Sequence, residues 1–323
     1  MKALDRKLAG LLAGTATADD FLIADAKDAD MAWGVAAAGP APDGGFRTRP
    51  EYLADMTALV AQGEIDILLC SASNGERLCR DGVLDGSETT LAVRGNDSSD
   101  IWSPRGSAYA GHPSRPFRTA NLEAIRPFCD LVLYSITLNN DLDHDLATLE
   151  AYARFRQEAR GRGVRHFLEV FNPNAPLRLA PEQVGAFVND GIIRALAGVT
   201  TDERPLFLKV AYNGPAALEE LAGHDPSLVV GVLGGSAGTV RDTFELLHAA
   251  QRHGARVALF GRKIQHAQSQ LDLVALMRPV LRGDLSPADA VREYHRRLAA
   301  HGMIAHRTLD ADLEITEPVL RQG

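Results

Sequence analysis

The sequence predicts an α/β protein built on a (β/α)8 TIM barrel, with an N-terminal helix and extra C-terminal helices. Eight short apolar runs occur along the chain, longer amphipathic stretches separate most of them, and the chain has 323 residues. This length would allow two domains of about 150 residues, but α/β barrels often form one unit of about 200 to 250 residues or more. We therefore expect a single barrel domain over residues 1–323, with an open doubly wound sheet as the alternative.

The apolar runs are the predicted strands. Each has six to eight residues, is rich in Val, Ile and Leu, and does not alternate with polar residues, which is typical of parallel strands covered on both faces. In chain order they are FLIADA (21–26), IDILLCSA (65–72), TLAVRG (90–95), LVLYSIT (131–137), RHFLEVF (165–171), LFLKVAY (206–212), LVVGVLGG (228–235) and RVALFG (256–261).

The stretches with helical periodicity complete the predicted architecture. We expect residues 1–19 to form an N-terminal helix that closes the barrel floor, 20–265 to hold the barrel strands and helices, and 266–323 to form C-terminal helices and a tail. The loop at 95–118 is rich in Gly, Ser, Pro and Arg. A loop of this length in a compact domain indicates an active-site lid or binding loop, with a mobile surface excursion as the alternative. The helical stretches are 50–62, 146–163, 182–198, 216–223, 239–254, 271–283 and 286–302.

Composition excludes several classes of protein. The chain has a net charge of −8 with 46% hydrophobic and 24% charged residues, which argues against a general nucleic-acid binder and against disorder. It has no apolar run long enough to span a membrane and no signal-peptide pattern, so we expect no membrane partner. Three cysteines without a CxxC pair favour a reducing cytoplasm. The ten histidines show no metal-ligand spacing, so we expect neither a metal nor another cofactor.

Lys209 is the most informative single residue. Only five of the 34 basic residues are lysines, and Lys209 lies in the middle of the apolar sixth run, LFLKVAY. Burying an ammonium group is costly unless it is paired or neutral. A desolvated lysine can act as a neutral amine that attacks a carbonyl to form a Schiff base, and the alternative is a structural ion pair.

The first run also carries charged residues. Asp25 and Lys27 share one strand face, so both would reach the pocket if that face is the interior. Lys27 would then lower the pKa of Lys209 through like-charge repulsion, and Asp25 would hold Lys27 or a substrate hydroxyl. Asp28 and Asp30 better suit a helix N-terminal acid cluster.

Three further strand residues are candidates. Glu169, in HFLEVF, is a charge among apolar residues and suits either general acid/base catalysis or compensation of a buried cation. Tyr134, in LVLYSIT, could transfer a proton, or it could belong to the core. Arg94 ends the third run and could bind an anionic substrate group or form a structural ion pair.

Two glycine-containing turns follow the last two strands. Gly234, Gly235 and Ser236 leave the seventh strand, and Gly261 and Arg262 leave the eighth. Glycines permit close backbone approach, helix N-terminal amides face an anion, and arginine adds a bidentate donor. Barrels of this type commonly hold a phosphate at this place, so we expect a phosphate or comparable anion here.

These segments resemble the class I, Schiff-base aldolases of the tagatose-bisphosphate and sulfofructose-phosphate type, within the group that includes deoxyribose-phosphate aldolase and archaeal fructose-bisphosphate aldolase. The resemblance covers about residues 20–300 and rests on LIADAKDADMAWG, LVLYSITLN, HFLEVFNP, FLKVAY, LGGSAG and GARVALFGRKI. It implies that Lys209 forms the Schiff base, that Glu169 is an acid/base or lysine-tuning carboxylate, and that Asp25 binds substrate. It also implies that Gly235, Gly261 and Arg262 bind phosphate.

We therefore expect a class I aldolase that cleaves or forms a C–C bond of a keto-sugar phosphate or similar anionic ketose. One alternative is a non-catalytic or regulatory barrel that binds a phosphorylated metabolite, because the family's Gln-Arg-Gly after the first-strand aspartate is replaced here by Ala26-Lys27-Asp28. Another is a barrel isomerase or lyase that forms no imine. By analogy with the family we expect a homo-oligomer.

Overall fold

The strands form a closed parallel barrel. The structure is a computed structural model and describes residues 1–41, 44–175 and 179–322. Consecutive barrel strands are neighbours, and β1 pairs with β8 to close the ring. In this part of the chain the barrel strands are β1 (Leu22–Lys27), β2 (Ile67–Cys70), β3 (Thr90–Arg94), β4 (Leu131–Thr137), β5 (Arg165–Phe171), β6 (Leu208–Val210), β7 (Val230–Leu233) and β8 (Val257–Phe260).

Helices cover the outside of the barrel and continue beyond its last strand. Several begin with a side-chain cap, such as Thr48 with Glu51, and some end at a left-handed glycine, such as Gly63. The described α-helices are α1 (Ala3–Leu12), α2 (Asp30–Trp33), α3 (Arg49–Gln62), α4 (Ala72–Arg80), α5 (Leu122–Ile125), α6 (Leu142–Gly161), α7 (Val184–Leu196), α8 (Pro215–His224), α9 (Val240–Arg252), α10 (Arg262–Gln265), α11 (Gln270–Arg282), α12 (Pro287–Ala300) and α13 (Leu309–Asp312).

Alternate strand residues face the barrel interior or the helix layer. On β1, Leu22, Ala24 and Ala26 belong to the interior cluster. Leu4 and Leu8 of α1 join the same cluster, so the N-terminal helix packs under the barrel. The other strand face packs against the helices. This alternation decides which side chains reach the mouth of the barrel, at the carboxyl ends of the strands.

The predicted barrel is confirmed, and each predicted strand overlaps an observed one. β4 and β5 have the predicted bounds, whereas β6 is shorter than the run 206–212. The N-terminal helix ends at Leu12 rather than at residue 19, and a short 3-10 turn, Ala18–Asp20, follows it. Five described helices lie outside the predicted helical stretches: α2, α5, α10 and α13, which have four residues each, and the longer α4, which is strongly polar.

The loop at 95–118 is folded against the barrel mouth. Two short antiparallel strands, Asp97–Ser98 and Pro116–Phe117, pair at its base. Nearer its tip, the Trp102 ring stacks on Tyr109 with the ring centroids 4.4 Å apart. None of the described helices is long and apolar enough to cross a membrane.

Candidate active site

A cavity of about 400 Å³ opens at the carboxyl ends of the strands. This is the end at which active sites of (β/α)8 barrels lie. In the described ranges no group of three or more His, Cys, Asp or Glu side chains could hold a metal ion. The polar and aromatic side chains that line the cavity are Asp28, Trp33, Arg94, Asp100, Ser103, Glu169, Phe171, Lys209, Arg262, Gln265 and His266.

Lys209 and Glu169 form the central contact of this cavity. They are register partners on β6 and β5, and Lys209 Nζ lies 2.6 Å from Glu169 Oε1. The side chain of Lys209 is 7% exposed and that of Glu169 is 2% exposed. The ammonium group is therefore almost fully removed from bulk water, but it still borders a cavity large enough for a small molecule.

Arg94 and Ser135 hold Glu169 from its other side. Ser135 Oγ donates a hydrogen bond of 2.6 Å to Glu169 Oε2 and accepts one of 2.8 Å from Arg94 Nη2. Arg94 Nη1 lies 2.6 Å from Asp28 Oδ2 and 3.5 Å from Glu169 Oε2. Arg94 Nε donates to the carbonyl oxygen of Asn96 at 3.0 Å. The Glu169 carboxylate is thus fixed in one orientation by three side chains.

The charges of this network are balanced. Lys209 and Arg94 supply two positive charges, and Glu169 and Asp28 supply two negative charges. Burial raises the pKa of Asp28, but the charges of Arg94 and Lys209 outweigh burial and hold the pKa below its ordinary value. Burial lowers the pKa of Arg94, but the carboxylates of Asp28 and Glu169 outweigh it and raise the pKa. Asp28 and Arg94 therefore stay charged inside the barrel.

The turns after β7 and β8 form another wall of the cavity. Gly234 and Gly235 line it from β7, and Gly261 and Arg262 line it from β8. Gly235 has φ of 66°, a conformation that favours glycine. Within the described residues, the amides of Gly235 and Ser236 donate no hydrogen bond to the protein. The guanidinium of Arg262 lies 5.7 Å from the centre of the Trp33 ring, at the edge of the same cavity.

A carboxylate from the C-terminal segment connects these two turns. Glu317 Oε1 accepts a hydrogen bond of 3.0 Å from Ser236 Oγ, which follows β7. The same oxygen lies 2.8 Å from Nζ of Lys263, which follows β8. The Ser236 side chain therefore lies outside the cavity lining, contrary to its expected place among the anion ligands.

The loop at 95–118 contributes the wall opposite the β8 turn. Asp100, Ile101 and Ser103 line the cavity. Asp100 Oδ2 accepts a hydrogen bond of 2.6 Å from Thr137 Oγ1, at the end of β4, and Asp100 Oδ1 accepts one of 2.9 Å from Ser114 Oγ. The loop therefore borders the cavity, and its role as an active-site lid or binding loop stays a prediction.

The expected placement of Asp25 and Lys27 is wrong. Both side chains are fully buried between β1 and the helix layer, because the interior positions of β1 are those of Leu22, Ala24 and Ala26. Lys27 Nζ lies 3.1 Å from Asp25 Oδ1 and donates to Gln270 Oε1, on α11, at 2.9 Å. Burial raises the pKa of Asp25, and the charge of Lys27 opposes this. Neither residue lines the cavity with Lys209.

Tyr134 also faces the helix layer rather than the cavity. Its ring lies 4.3 Å from that of Phe155, centre to centre, on α6. Burial raises the pKa of Tyr134 to about 12. The expected proton transfer by Tyr134 therefore has no structural support, and the next residue, Ser135, takes the interior position beside Glu169.

Asp28, Ser135 and Asp100 are the functional candidates that the sequence interpretation missed. Asp28 continues the interior series of Ala24 and Ala26, which was the available signal. Asp100 lies in a loop, where no strand periodicity indicates its direction. Arg94 is brought to the site, but all three of its side-chain nitrogens already have partners, which matches the ion-pair alternative.

Comparison with known proteins adds information on the fold alone. No protein-family model and no curated protein matches the chain. Solved structures do match it. An archaeal fructose 1,6-bisphosphate aldolase aligns with a TM-score of 0.63 and 18% identity, over 85% of this chain and 99% of its own.

The chain has the fold of these aldolases. The fructose-bisphosphate aldolase from Slackia heliotrinireducens aligns with a TM-score of 0.66 and 14% identity, over 94% of this chain and 92% of its own. A Schiff base forming fructose-1,6-bisphosphate aldolase aligns with a TM-score of 0.63 and 18% identity, over 86% of this chain and 99% of its own. At these identities the likeness concerns the barrel alone.

Proposed function

We propose that the protein is a class I aldolase that cleaves or forms a C–C bond of a keto-sugar phosphate, or a similar anionic ketose, through a Schiff base on Lys209. The observation that carries this proposal is the 2.6 Å contact between Lys209 Nζ and Glu169 Oε1 inside the barrel mouth. The same cavity has glycine turns and Arg262 on one wall. The candidate nucleophile, the candidate proton acceptor and the candidate anion ligands therefore border one cavity.

Imine formation is the first step of the proposed mechanism. Glu169 accepts a proton from Lys209, and the neutral amine attacks the ketose carbonyl carbon. Glu169 then returns this proton to the carbinolamine hydroxyl, which leaves as water and gives a protonated imine. The likeness to a Schiff base forming aldolase supports this assignment, because that protein has the same barrel.

Bond cleavage then uses the imine as the electron acceptor. Glu169, directly or through a water, removes the proton from the hydroxyl on the carbon beyond the breaking bond. The electron pair of the C–C bond moves to the imine, which gives an enamine on Lys209 and releases an aldehyde. Glu169 gives this proton to the enamine carbon, and water hydrolyses the imine to release the ketone. Condensation runs through the same steps in reverse.

The anion end orients the substrate. The amide of Gly235, which donates no hydrogen bond within the described residues, and the guanidinium of Arg262 would bind the phosphate, as in other barrels with a phosphate at this position. Binding the phosphate at a fixed distance from Lys209 places the carbonyl carbon for attack, which lowers the entropic part of the barrier. Arg94 and Ser135 act on Glu169 rather than on the substrate.

A pair of lysine variants tests the proposal. Lys209→Arg keeps a cation beside Glu169 but cannot form an imine, so we expect it to bind inorganic phosphate like the wild type and to lose aldol turnover. Lys2→Arg, on the other side of the barrel, is the matched control and should keep full activity. The alternative, a non-catalytic phosphometabolite-binding barrel, predicts no turnover in the wild type with any keto-phosphate.

A further inference from the structure

The two ends of the cavity differ in charge. The wall at β7 and β8 carries Gly235 and Arg262, and the wall at the end of β4 carries Asp100. In a closed ring of eight strands β4 lies across from β8, so Asp100 and Arg262 are on opposite sides of the mouth. A ketose that has its phosphate beside Arg262 therefore points its other end toward Asp100, with Lys209 and Glu169 between the two ends.

Asp100 is held so that it presents a carboxylate to this end of the cavity. Thr137 and Ser114 each donate one hydrogen bond to it, one to each oxygen. No Lys, Arg or His in the described residues forms an ion pair with it. A carboxylate oxygen can accept more than one hydrogen bond, so both oxygens can also accept from a ligand hydroxyl.

The positively charged side chains that line the cavity cannot neutralise an anion at the Asp100 end. Arg94 is committed to Asp28, Ser135, Glu169 and the carbonyl of Asn96. In the proposed function Lys209 becomes the imine, and Arg262 holds the phosphate at the opposite wall. A second phosphate near Asp100 would thus meet a negative charge without a neutralising partner among the described lining residues.

We infer that the aldehyde half of the substrate is an uncharged hydroxyaldehyde, whose hydroxyl groups donate to Asp100, so that the ketose has only one anionic end. This inference rests on the proposed aldolase function. It makes Asp100 a specificity-determining residue, with Thr137 as the residue that orients it. The aldehyde leaves when the C–C electron pair moves to the imine and Glu169 takes the hydroxyl proton.

The test compares two aldehydes that differ by one phosphate. Dihydroxyacetone phosphate is the common donor, and glyceraldehyde and glyceraldehyde 3-phosphate are the acceptors in condensation. We expect the wild type to have at least a tenfold higher kcat/KM for glyceraldehyde. Asp100→Asn should lower kcat/KM for glyceraldehyde about tenfold, mainly by raising KM. It should also lower the ratio of kcat/KM for glyceraldehyde to kcat/KM for glyceraldehyde 3-phosphate.

Two further variants keep the test clear. Thr137→Val keeps the Asp100 carboxylate but removes the hydroxyl that orients it. Like Asp100→Asn, it should lower the ratio of kcat/KM for glyceraldehyde to kcat/KM for glyceraldehyde 3-phosphate. Asp143→Asn, at the exposed start of α6, is the matched control and should leave kcat/KM for both aldehydes unchanged. Thermal unfolding of each variant verifies that it is folded.

Equal or greater activity with the phosphorylated aldehyde would overturn this inference, and the turnover itself would leave the aldolase proposal intact. An absence of condensation with both aldehydes would also overturn it. In that case borohydride trapping of the donor in the same sample decides the wider question. An adduct on Lys209 keeps the Schiff-base proposal, and no adduct means that both proposals fail.

Discussion

Lys209 and Glu169 lie directly opposite each other on neighbouring barrel strands, with 2.6 Å between Nζ and Oε1. Parallel pairing of β5 and β6 fixes their relative height, and Ser135 and Arg94 fix the direction of the carboxylate. The pair therefore has a defined geometry before any substrate binds, which is what proton transfer from the amine requires.

Replacing Glu169 should reduce the chemical steps more than binding. We expect Glu169→Gln to lower kcat by roughly 100-fold to 10,000-fold, because the amide cannot accept a proton. Ser135→Ala should have a smaller effect, since it removes a positioning hydrogen bond and leaves the carboxylate. Steady-state kcat and KM for both variants measure this. A Glu169→Gln enzyme with wild-type kcat would contradict the assigned role.

Glu317 should act on phosphate binding through the two turns that it connects. Glu317→Ala removes the common acceptor of Ser236 and Lys263, so we expect KM for a phosphorylated ketose and Kd for inorganic phosphate to rise about tenfold, with kcat nearly unchanged. Glu317→Gln should recover part of this loss. Glu314→Ala, an exposed neighbour, is the control. A fall in kcat with unchanged phosphate affinity would show that Glu317 does not position the anion site.

Lys27 should contribute to stability and not to imine formation. Lys27→Met leaves Asp25 as a buried charge without its partner, which costs about 3 kcal/mol in comparable cases. Adding Asp25→Asn should restore part of that stability. Denaturant unfolding measures the loss, and borohydride trapping measures the imine. If Lys27→Met abolished the adduct and left stability unchanged, the outward placement of Lys27 would be contradicted.

His166 should make the fold sensitive to acid. Burial, with a smaller contribution from the charge of Arg156, lowers its pKa from 6.5 to about 3. In the unfolded chain His166 takes up a proton near its ordinary pKa, whereas in the folded chain it does so only near the lowered pKa. The contribution of His166 to stability is therefore complete above the ordinary pKa and is lost as the pH falls toward the lowered value.

This loss amounts to about 1.4 kcal/mol per pH unit within that window. Unfolding free energies measured between about pH 7 and pH 5 should fall less steeply in His166→Gln than in the wild type. His306→Gln, at an exposed position, is the control. Identical slopes in wild type and His166→Gln would mean that His166 takes up a proton equally well in both states.

The barrel could be predicted because each strand is a continuous apolar run. The sequence does not indicate which face of each strand points into the barrel. Both faces of a barrel strand are buried, so the run lacks the apolar–polar alternation that would distinguish them. This is why Asp25 and Lys27 were expected in the pocket and Asp28 was not, and why Tyr134 was chosen over Ser135. Lys209 and Glu169 could be identified, because a charge within an apolar run stands out on either face.

The remaining site residues depend on contacts between distant parts of the chain. Asp100 reaches the cavity from a long loop and is fixed by Thr137 and Ser114, which no local pattern indicates. Glu317 reaches the anion turns from the C-terminal segment, 81 positions from Ser236. The expected homo-oligomer and the sugar phosphate stay predictions.

Borohydride reduction in the presence of dihydroxyacetone phosphate detects the proposed imine on Lys209 itself. Because the chain has only five lysines, peptide mass spectrometry can assign an adduct to one of them. We expect a reduced adduct on Lys209 in the wild type and none in Lys209→Met, which should also lose turnover. Full turnover in Lys209→Met, or an active wild type that forms no adduct on Lys209 with its own ketose, would contradict the Schiff-base proposal.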